Sequence, residues 1–303
     1  MEVRDCPGCG KKKLVPLGQV SLIRSAVPEE AEQLRNLKRC SACGSIAVAP
    51  FPREEILRKY YEKYTTITKN NQNDDENNWC KRDILQSIQD ITKKIEKGRI
   101  LDIGCGDGTL LSMLPSSFEK YGVDLSKSAC AQAYKRGFNV FCSSFLSCSF
   151  PHDFDIIIAL DVLEHFSEPR RAIQRMADIL ASGGYLIIQT GNADSFEAHL
   201  LAEDWAYTAV FGHLCALTPS AIRIMTSDVN IEEISLTTSW HRMIRWRTVI
   251  FCNARALVFH AYRRFYILFK PLLKNVSFLH KLYHHHPPKA HTRDHFTYIG
   301  QKV

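Results

Sequence analysis

Residues Ile100-Leu-Asp-Ile-Gly-Cys-Gly-Asp-Gly108 decide the fold. A short apolar run leads into three alternate glycines, Gly104, Gly106 and Gly108, and helical character begins just beyond them. A backbone that must bend sharply and come into contact with a ligand has no room for Cβ atoms. Beyond the carboxyl end of a strand, such a turn lies where open α/β sheets bind ligands. Taken alone, it is also what an ordinary tight turn looks like, so its meaning depends on what flanks it.

Working outward, β-like and helical runs alternate from Gly98 to about Trp240. This pattern predicts a parallel sheet covered by helices. The spacing predicts strands at Arg99–Ile103, Tyr121–Leu125, Val140–Ser144, Phe154–Leu160, Tyr185–Thr190 and Ile231–Thr238, with a last short strand at Phe296–Gln301. Apolar runs bounded by Gly, Asp and Ser suit strands buried on both faces. Helices are expected over Arg53–Tyr64 and Trp79–Lys97. Between them the polar tract Thr65–Asn78 has too few apolar residues to fold alone and reads as a mobile loop.

The glycine spacing separates two ligand classes. A dinucleotide fingerprint, G-x-G-x-x-G, would need glycine at 109, where this chain has Thr109. Asp124 ends the second strand, where a carboxylate accepts hydrogen bonds from ribose hydroxyls. A carboxylate repels phosphates but favours a ribose and a cationic sulfonium. Asp124 could also be a solvated strand end; the pairing with the glycine turn argues for the ligand.

With LDIGCGDG, GVDLS and FDIIIALDVLEH in this order, followed by LASGGYLIIQT, residues 98–190 resemble the class I S-adenosylmethionine-dependent methyltransferases. The resemblance implies a doubly wound, mainly parallel, seven-stranded Rossmann-like α/β sheet. It implies a cofactor site of Asp102, Gly104, Cys105, Gly106, Gly108, Asp124, Leu125, Ser144, Phe145, Leu160 and Asp161. Many relatives carry Asp where this chain has Ser144, whose hydroxyl accepts the same adenine hydrogen bond more weakly.

Cys6-Pro-Gly-Cys9 and Cys40-Ser-Ala-Cys43 are two Cys-x-x-Cys knuckles, each followed by glycine. Four thiolates suit tetrahedral Zn²⁺ in a closed structural site. Free or disulfide-bonded cysteines are the plainer alternative. The other seven of the eleven cysteines are scattered, mostly among apolar residues, and read as small hydrophobes. The run Cys40–Pro52, followed by Leu57, Tyr60, Tyr61 and Tyr64, resembles a methyltransferase group with an N-terminal zinc ribbon. That group acts on sugars and surface polysaccharides. This resemblance implies that the ribbon and the tyrosine-bearing helix cap the acceptor side and that the acceptor is a sugar. Related sugar C-methyltransferases carry a further large C-terminal domain for which this chain is too short, which favours methylation on oxygen.

A hydroxyl acceptor needs a base, for which histidine, with an unperturbed pKa of ~6.5, is the usual choice. His165 follows the fourth strand of the core, and His213 lies in a run that resembles the sugar-acting relatives, W…H-L…T/S. His213 is the expected base and Tyr207 a substrate contact, with His165 the competing base. The blander readings are a loop-holding hydrogen bond for His165 and plain packing for His213.

The organisation expected is a zinc ribbon (1–50), a helical cap (51–97), the methyltransferase core (98–240), and a basic aromatic-rich segment with the last strand (241–303). Net charge is +7, yet His241 to Arg293 holds eleven Lys or Arg and no Asp or Glu, so the remainder is acidic. Three readings fit the basic segment: an interfacial stretch on an anionic membrane, a site for an anionic acceptor or nucleic acid, or helices packed on the core. The uncharged run Trp205–Ile222 is long enough to span a bilayer, but Gly212, His213 and Pro219 point to a buried, irregular segment. A charged amino terminus without an apolar signal core predicts a cytoplasmic protein, peripheral to the inner membrane face if the basic segment binds lipid. The alternatives carried are an RNA methyltransferase and a non-catalytic module that binds S-adenosylmethionine without turnover.

Overall fold

The computed structural model describes residues 5–21, 34–53, 55–62, 78–239, 258, 261 and 294–303. The polar tract up to residue 77 and nearly all of the basic segment 241–293 lie outside the described residues.

The chain forms two sheets. Strands β1 (Leu14–Ser21), β2 (Leu34–Cys40) and β3 (Ile46–Ala49) build a small antiparallel sheet. After helix α1 (residues 55–62) and α2 (Asn78–Ile95) comes the large sheet. Its successive elements are β4 (Gly98–Ile103), α3 (Thr109–Met113), β5 (Phe118–Asp124), α4 (Lys127–Lys135), β6 (Asn139–Cys142), β7 (Phe154–Leu160), α5 (Pro169–Ile179) and β8 (Leu180–Gly191). Then follow α6 (Phe196–Leu201), β9 (Cys215–Ala216), α7 (Pro219–Ser227), β10 (Ile231–Ser239) and β11 (His295–Lys302).

The large sheet has seven strands in the order β10-β11-β8-β7-β4-β5-β6. Strands β4 to β8 run parallel, and β11 inserts antiparallel between β8 and β10. This is the Rossmann-like methyltransferase sheet expected from the sequence. The order reverses at β4 and β7, so the crevice at their carboxyl ends is the ligand position of the fold.

The central strands read as continuous apolar runs because both faces are covered. Leu101, Ile103, Ile157, Ala159, Leu186 and Ile188 point to the face covered by α5 and α7. Ile100, Ile156, Ile158 and Ile187 point to the other, against Ile84, Ile88 and Ile91 of α2. The alternation is the period of two that a strand imposes. Each fully buried aliphatic side chain contributes about 1.5–3 kcal/mol.

Trp205–Ile222 is a buried, irregular segment: short helical turns, then β9 and the start of α7. Strand β9 joins the small sheet as its fourth strand, pairing Ile46 with Ala216 and Ala47 with Cys215. A stretch from the core fold thereby completes the amino-terminal sheet. Among the described residues no helix is long and apolar enough to cross a membrane.

Candidate active site

The glycine turn shows a division of labour. All three glycines have left-handed backbone, with φ of +77° at Gly104, +54° at Gly106 and +79° at Gly108. A Cβ at Gly104 would come within 3.1 Å of Val162, and one at Gly108 within 2.7 Å of the Phe138 ring. At Gly106 it would meet nothing within 4 Å. Gly106 alone therefore borders open space, while its neighbours are fixed by backbone conformation and packing.

Asp124 ties the turn to β5: one oxygen accepts from the Gly106 amide at 2.9 Å and the other from the Ser126 amide at 2.8 Å. Burial pushes its pKa up, against those amides. Asp102, also buried, is pushed up to about 8 by burial and by the charge of Asp124. Glu62 of α1 reaches this corner, accepting from the amides of Lys127 and Ser128 and the Ser126 hydroxyl at the start of α4. The structure brings Gly104, Gly106, Asp124, Leu125, Ser144, Leu160 and Asp161 to the strands' carboxyl ends. The side chains of Cys105 and Phe145 turn into the core instead. Asp161 holds φ of +51°, with its amide donating to the Gln189 carbonyl at 2.9 Å.

Across the crevice lies a second constellation, centred on Glu164. Its two carboxylate oxygens accept from the Tyr207 hydroxyl at 2.7 Å and the Thr190 hydroxyl at 2.8 Å. Tyr207 in turn accepts from the Gly191 amide at 3.0 Å and stacks on Trp205 with ring centroids 4.8 Å apart. A side chain at Gly191 would collide with the Tyr207 ring, so glycine is required there. Burial disfavours the charge of Glu164, but His165, His213 and Tyr207 hold it below the usual carboxylate range.

His165 and His213 face each other with ring centroids 5.0 Å apart. Nδ1 of His165 lies 2.8 Å from the Gly212 carbonyl, and Nδ1 of His213 lies 2.7 Å from that of Tyr207. Carbonyls only accept, so each ring carries a proton on Nδ1 and leaves Nε2 as the nitrogen not engaged with the backbone. Burial, reinforced by His165, pushes the pKa of His213 down to about 3, leaving a neutral imidazole. One ligand atom each from Glu164, His165 and His213 lies within 4.8 Å of the others. Tyr61 closes the edge of His165 at 5.6 Å, and Tyr60 packs on Phe211 at 5.1 Å.

Several of these residues escaped the sequence reading. Glu164 stands next to His165 and was visible, but nothing in the sequence shows which of its neighbours touch it. His295 arrives from β11, its Nε2 3.7 Å from Asp161 and its ring 5.9 Å from Tyr207. Arg35, 1% exposed, donates from β2 to the Phe211 carbonyl at 2.9 Å and more weakly to that of His213 at 3.5 Å. No local pattern could have connected them.

The four cysteines converge as well. Sγ of Cys6 lies 3.4 Å from that of Cys43, Sγ of Cys9 lies 3.6 Å from that of Cys40, and all four fall within 4.8 Å. The cluster leans on the segment that follows His213: the Thr218 hydroxyl donates to the Cys43 carbonyl at 2.7 Å while capping α7. Arg170 donates to the Gly8 carbonyl at 3.0 Å.

Comparison with known proteins shows the family. The model of a methyltransferase domain matches residues 77–236, more than half of the chain. An uncharacterized protein of Methanocaldococcus jannaschii is 28% identical over 151 residues, 50% of this chain and 72% of that one. A ubiquinone biosynthesis O-methyltransferase of Idiomarina loihiensis is 26% identical over 167 residues, 50% of this chain and 69% of the relative. Among solved structures, magnesium protoporphyrin IX methyltransferase of Synechocystis PCC 6803 superposes with a TM-score of 0.49 at 14% identity. That match covers 82% of this chain and 99% of the other.

Proposed function

Because this chain belongs to the methyltransferase-domain family, whose members it joins as an S-adenosylmethionine-dependent enzyme, we propose that it methylates a hydroxyl group of a sugar, either nucleotide-activated or within a surface glycan. S-adenosylmethionine supplies an electrophilic methyl on a sulfonium. The open space at Gly106 and the Asp124 carboxylate beside it suit that cofactor's ribose and positive charge. Gly104, Leu125, Ser144, Leu160 and Asp161 would complete the rim, with the buried Asp102 and Gly108, Cys105 and Phe145 shaping it from behind.

The observation that carries the choice of a hydroxyl is the group of Glu164, His165 and His213. A neutral amine can attack the methyl without losing a proton first, whereas a hydroxyl must be activated. Two imidazoles whose Nδ1 atoms are held by carbonyls, His213 neutral with its lone pair on Nε2, stand beside a buried carboxylate and provide that activation. Tyr207 orients Glu164, and its hydroxyl is spent on that contact, so its part is positioning. Holding oxygen, methyl carbon and sulfur in line in a closed pocket supplies much of the remaining acceleration. The sugar class rests on the sequence resemblance around Cys40–Pro52. O-methyltransferases among the curated relatives favour oxygen as the acceptor atom.

The four cysteines fit structural Zn²⁺: a tetrahedron with bonds of about 2.3 Å has edges of about 3.8 Å, close to the sulfur separations here. We assign the ribbon the part of a brace for the acceptor loop, through β9, Thr218 and Arg35.

The test has two arms. His213→Ala should lower turnover by about 100-fold or more while cofactor affinity, read by calorimetry, survives. Mass spectrometry of surface glycans from cells with and without the gene should show one methyl missing from one sugar. Wild-type-like turnover in the variant, or methyl transfer to a nitrogen, would overturn the reading.

A further inference from the structure

We propose that Glu164, His165 and His213 form a site for one divalent transition-metal ion, separate from the four cysteines, at which the acceptor hydroxyl is activated. The proposal deepens the hydroxyl reading and rests on it for the chemistry, but not for the existence of the site.

Three features of the cluster go beyond what proton transfer requires. The first is the composition: two imidazoles and one carboxylate, with one ligand atom of each inside 4.8 Å. An ion with bonds of about 2.0–2.2 Å sets its ligands up to about 4.4 Å apart, so small side-chain adjustments would close the set around it. The second is the state of the histidines. Both Nδ1 atoms are held by backbone carbonyls, at 2.8 Å and 2.7 Å, which leaves Nε2 as the donor on each ring. A backbone carbonyl on the far ring nitrogen is the arrangement that fixes the tautomer and orientation of a metal-bound histidine. A single base would need this support once, whereas the structure supplies it twice. The third is the carboxylate. Both oxygens of Glu164 are oriented by hydroxyls, from Tyr207 and Thr190, in a position that is 1% exposed. Carboxylates that ligate a metal are themselves held by such hydrogen bonds, which fix the oxygens for the ion.

The elements make the set rigid. Glu164 and His165 are adjacent on a short helical turn after β7, and His213 sits where the irregular segment is pinned by β9, Arg35 and the Glu164 carbonyl, which accepts from the Leu214 amide at 2.8 Å. Three protein ligands leave coordination positions for a hydroxyl oxygen. The acceptor hydroxyl would give its proton to water as its oxygen approaches the cation. That oxygen then forms the bond to the methyl carbon, and the carbon–sulfur bond breaks with its electron pair remaining on sulfur. His213 acts as a ligand rather than as the free base that the sequence suggested. Imidazole nitrogens suit zinc, iron, cobalt or nickel better than magnesium.

The experiment uses Co²⁺ as the probe, added to the full-length protein with its cysteine cluster already zinc-loaded. We expect one equivalent to bind, giving the weak visible bands of nitrogen and oxygen ligation without the intense near-ultraviolet bands of thiolate ligation. His165→Ala and Glu164→Ala should each weaken that binding by about tenfold or more, with S-adenosylmethionine affinity retained as the evidence of folding. Absence of Co²⁺ outside the thiolates, or wild-type-like affinity in His165→Ala, would overturn the site, whatever the acceptor proves to be. A bound ion together with methylation of nitrogen would instead sink the hydroxyl reading and leave the site standing.

Discussion

The two halves of the crevice are built in opposite ways. The donor side, Gly104 to Asp124, is one strand-turn-helix-strand unit whose geometry is dictated by neighbours in sequence. The acceptor side draws Arg35, Glu164, His165, Thr190, Tyr207, His213 and His295 from elements spread over most of the chain. The difference decides what each side can tolerate. A change on the donor side acts through backbone conformation, and one on the acceptor side through a buried network in which each partner orients another.

The strongest way to separate the halves is Glu164→Gln. The amide keeps the shape but loses the charge and offers donors where the hydroxyls of Tyr207 and Thr190 already donate. Turnover should fall by about 100- to 10,000-fold, with cofactor affinity unchanged in calorimetry. A parallel loss of cofactor binding would mean that the halves are one network after all.

Within the donor half, Gly106→Ala and Gly108→Ala should part company. Both force an L side chain into left-handed backbone, at roughly 1–2 kcal/mol. At Gly106 the methyl enters open space, so the larger loss, about tenfold or more, should appear in cofactor affinity. At Gly108 it meets Phe138, so the loss should appear in denaturant midpoint. If both variants lose only stability, Gly106 does not face the cofactor.

The same contrast explains what could be read from the sequence. The central strands β4, β7 and β8 were visible as short apolar runs, because burial on both faces leaves a local imprint. The outer strands β6 and β10, by contrast, are largely exposed or half-buried and were legible from their spacing. The glycine turn and Asp124 were visible because their geometry is local. Arg35 was not: nothing around it in the sequence distinguishes it from a solvated arginine, and its burial follows only from where β2 meets the irregular segment. Arg35→Met should therefore cost about 1.5–3 kcal/mol of stability, from the loss of charged hydrogen bonds to the Phe211 and His213 carbonyls. It should lower kcat at little change in the cofactor's KM, since the residue acts by positioning His213. An equal effect on both constants would make it a general packing residue.

The smallest effect tests a helix that touches both halves. Helix α1 sets Tyr60 and Tyr61 against Phe211 and His165 on the acceptor side, while Glu62 caps the start of α4 beside Asp124 on the donor side. Burial opposes the charge of Glu62, but the amides of Lys127 and Ser128 and the hydroxyls of Ser126 and Ser128 outweigh it and lower its pKa. A lowered folded pKa means that the stabilisation is fully present above the unfolded value and is lost as pH falls through the folded one. Glu62→Gln should thus cost less than about 1 kcal/mol at neutral pH. The difference from wild type should begin to shrink as pH falls below the ordinary carboxylate value of about 4.3 and vanish only below the lowered folded one. Because α1 joins the two sides, the variant should also loosen the acceptor loop, seen as faster amide exchange at Gly212 and His213. Unchanged exchange there would confine Glu62 to the donor side and leave Tyr60 and Tyr61 as the part of α1 that reaches the other half.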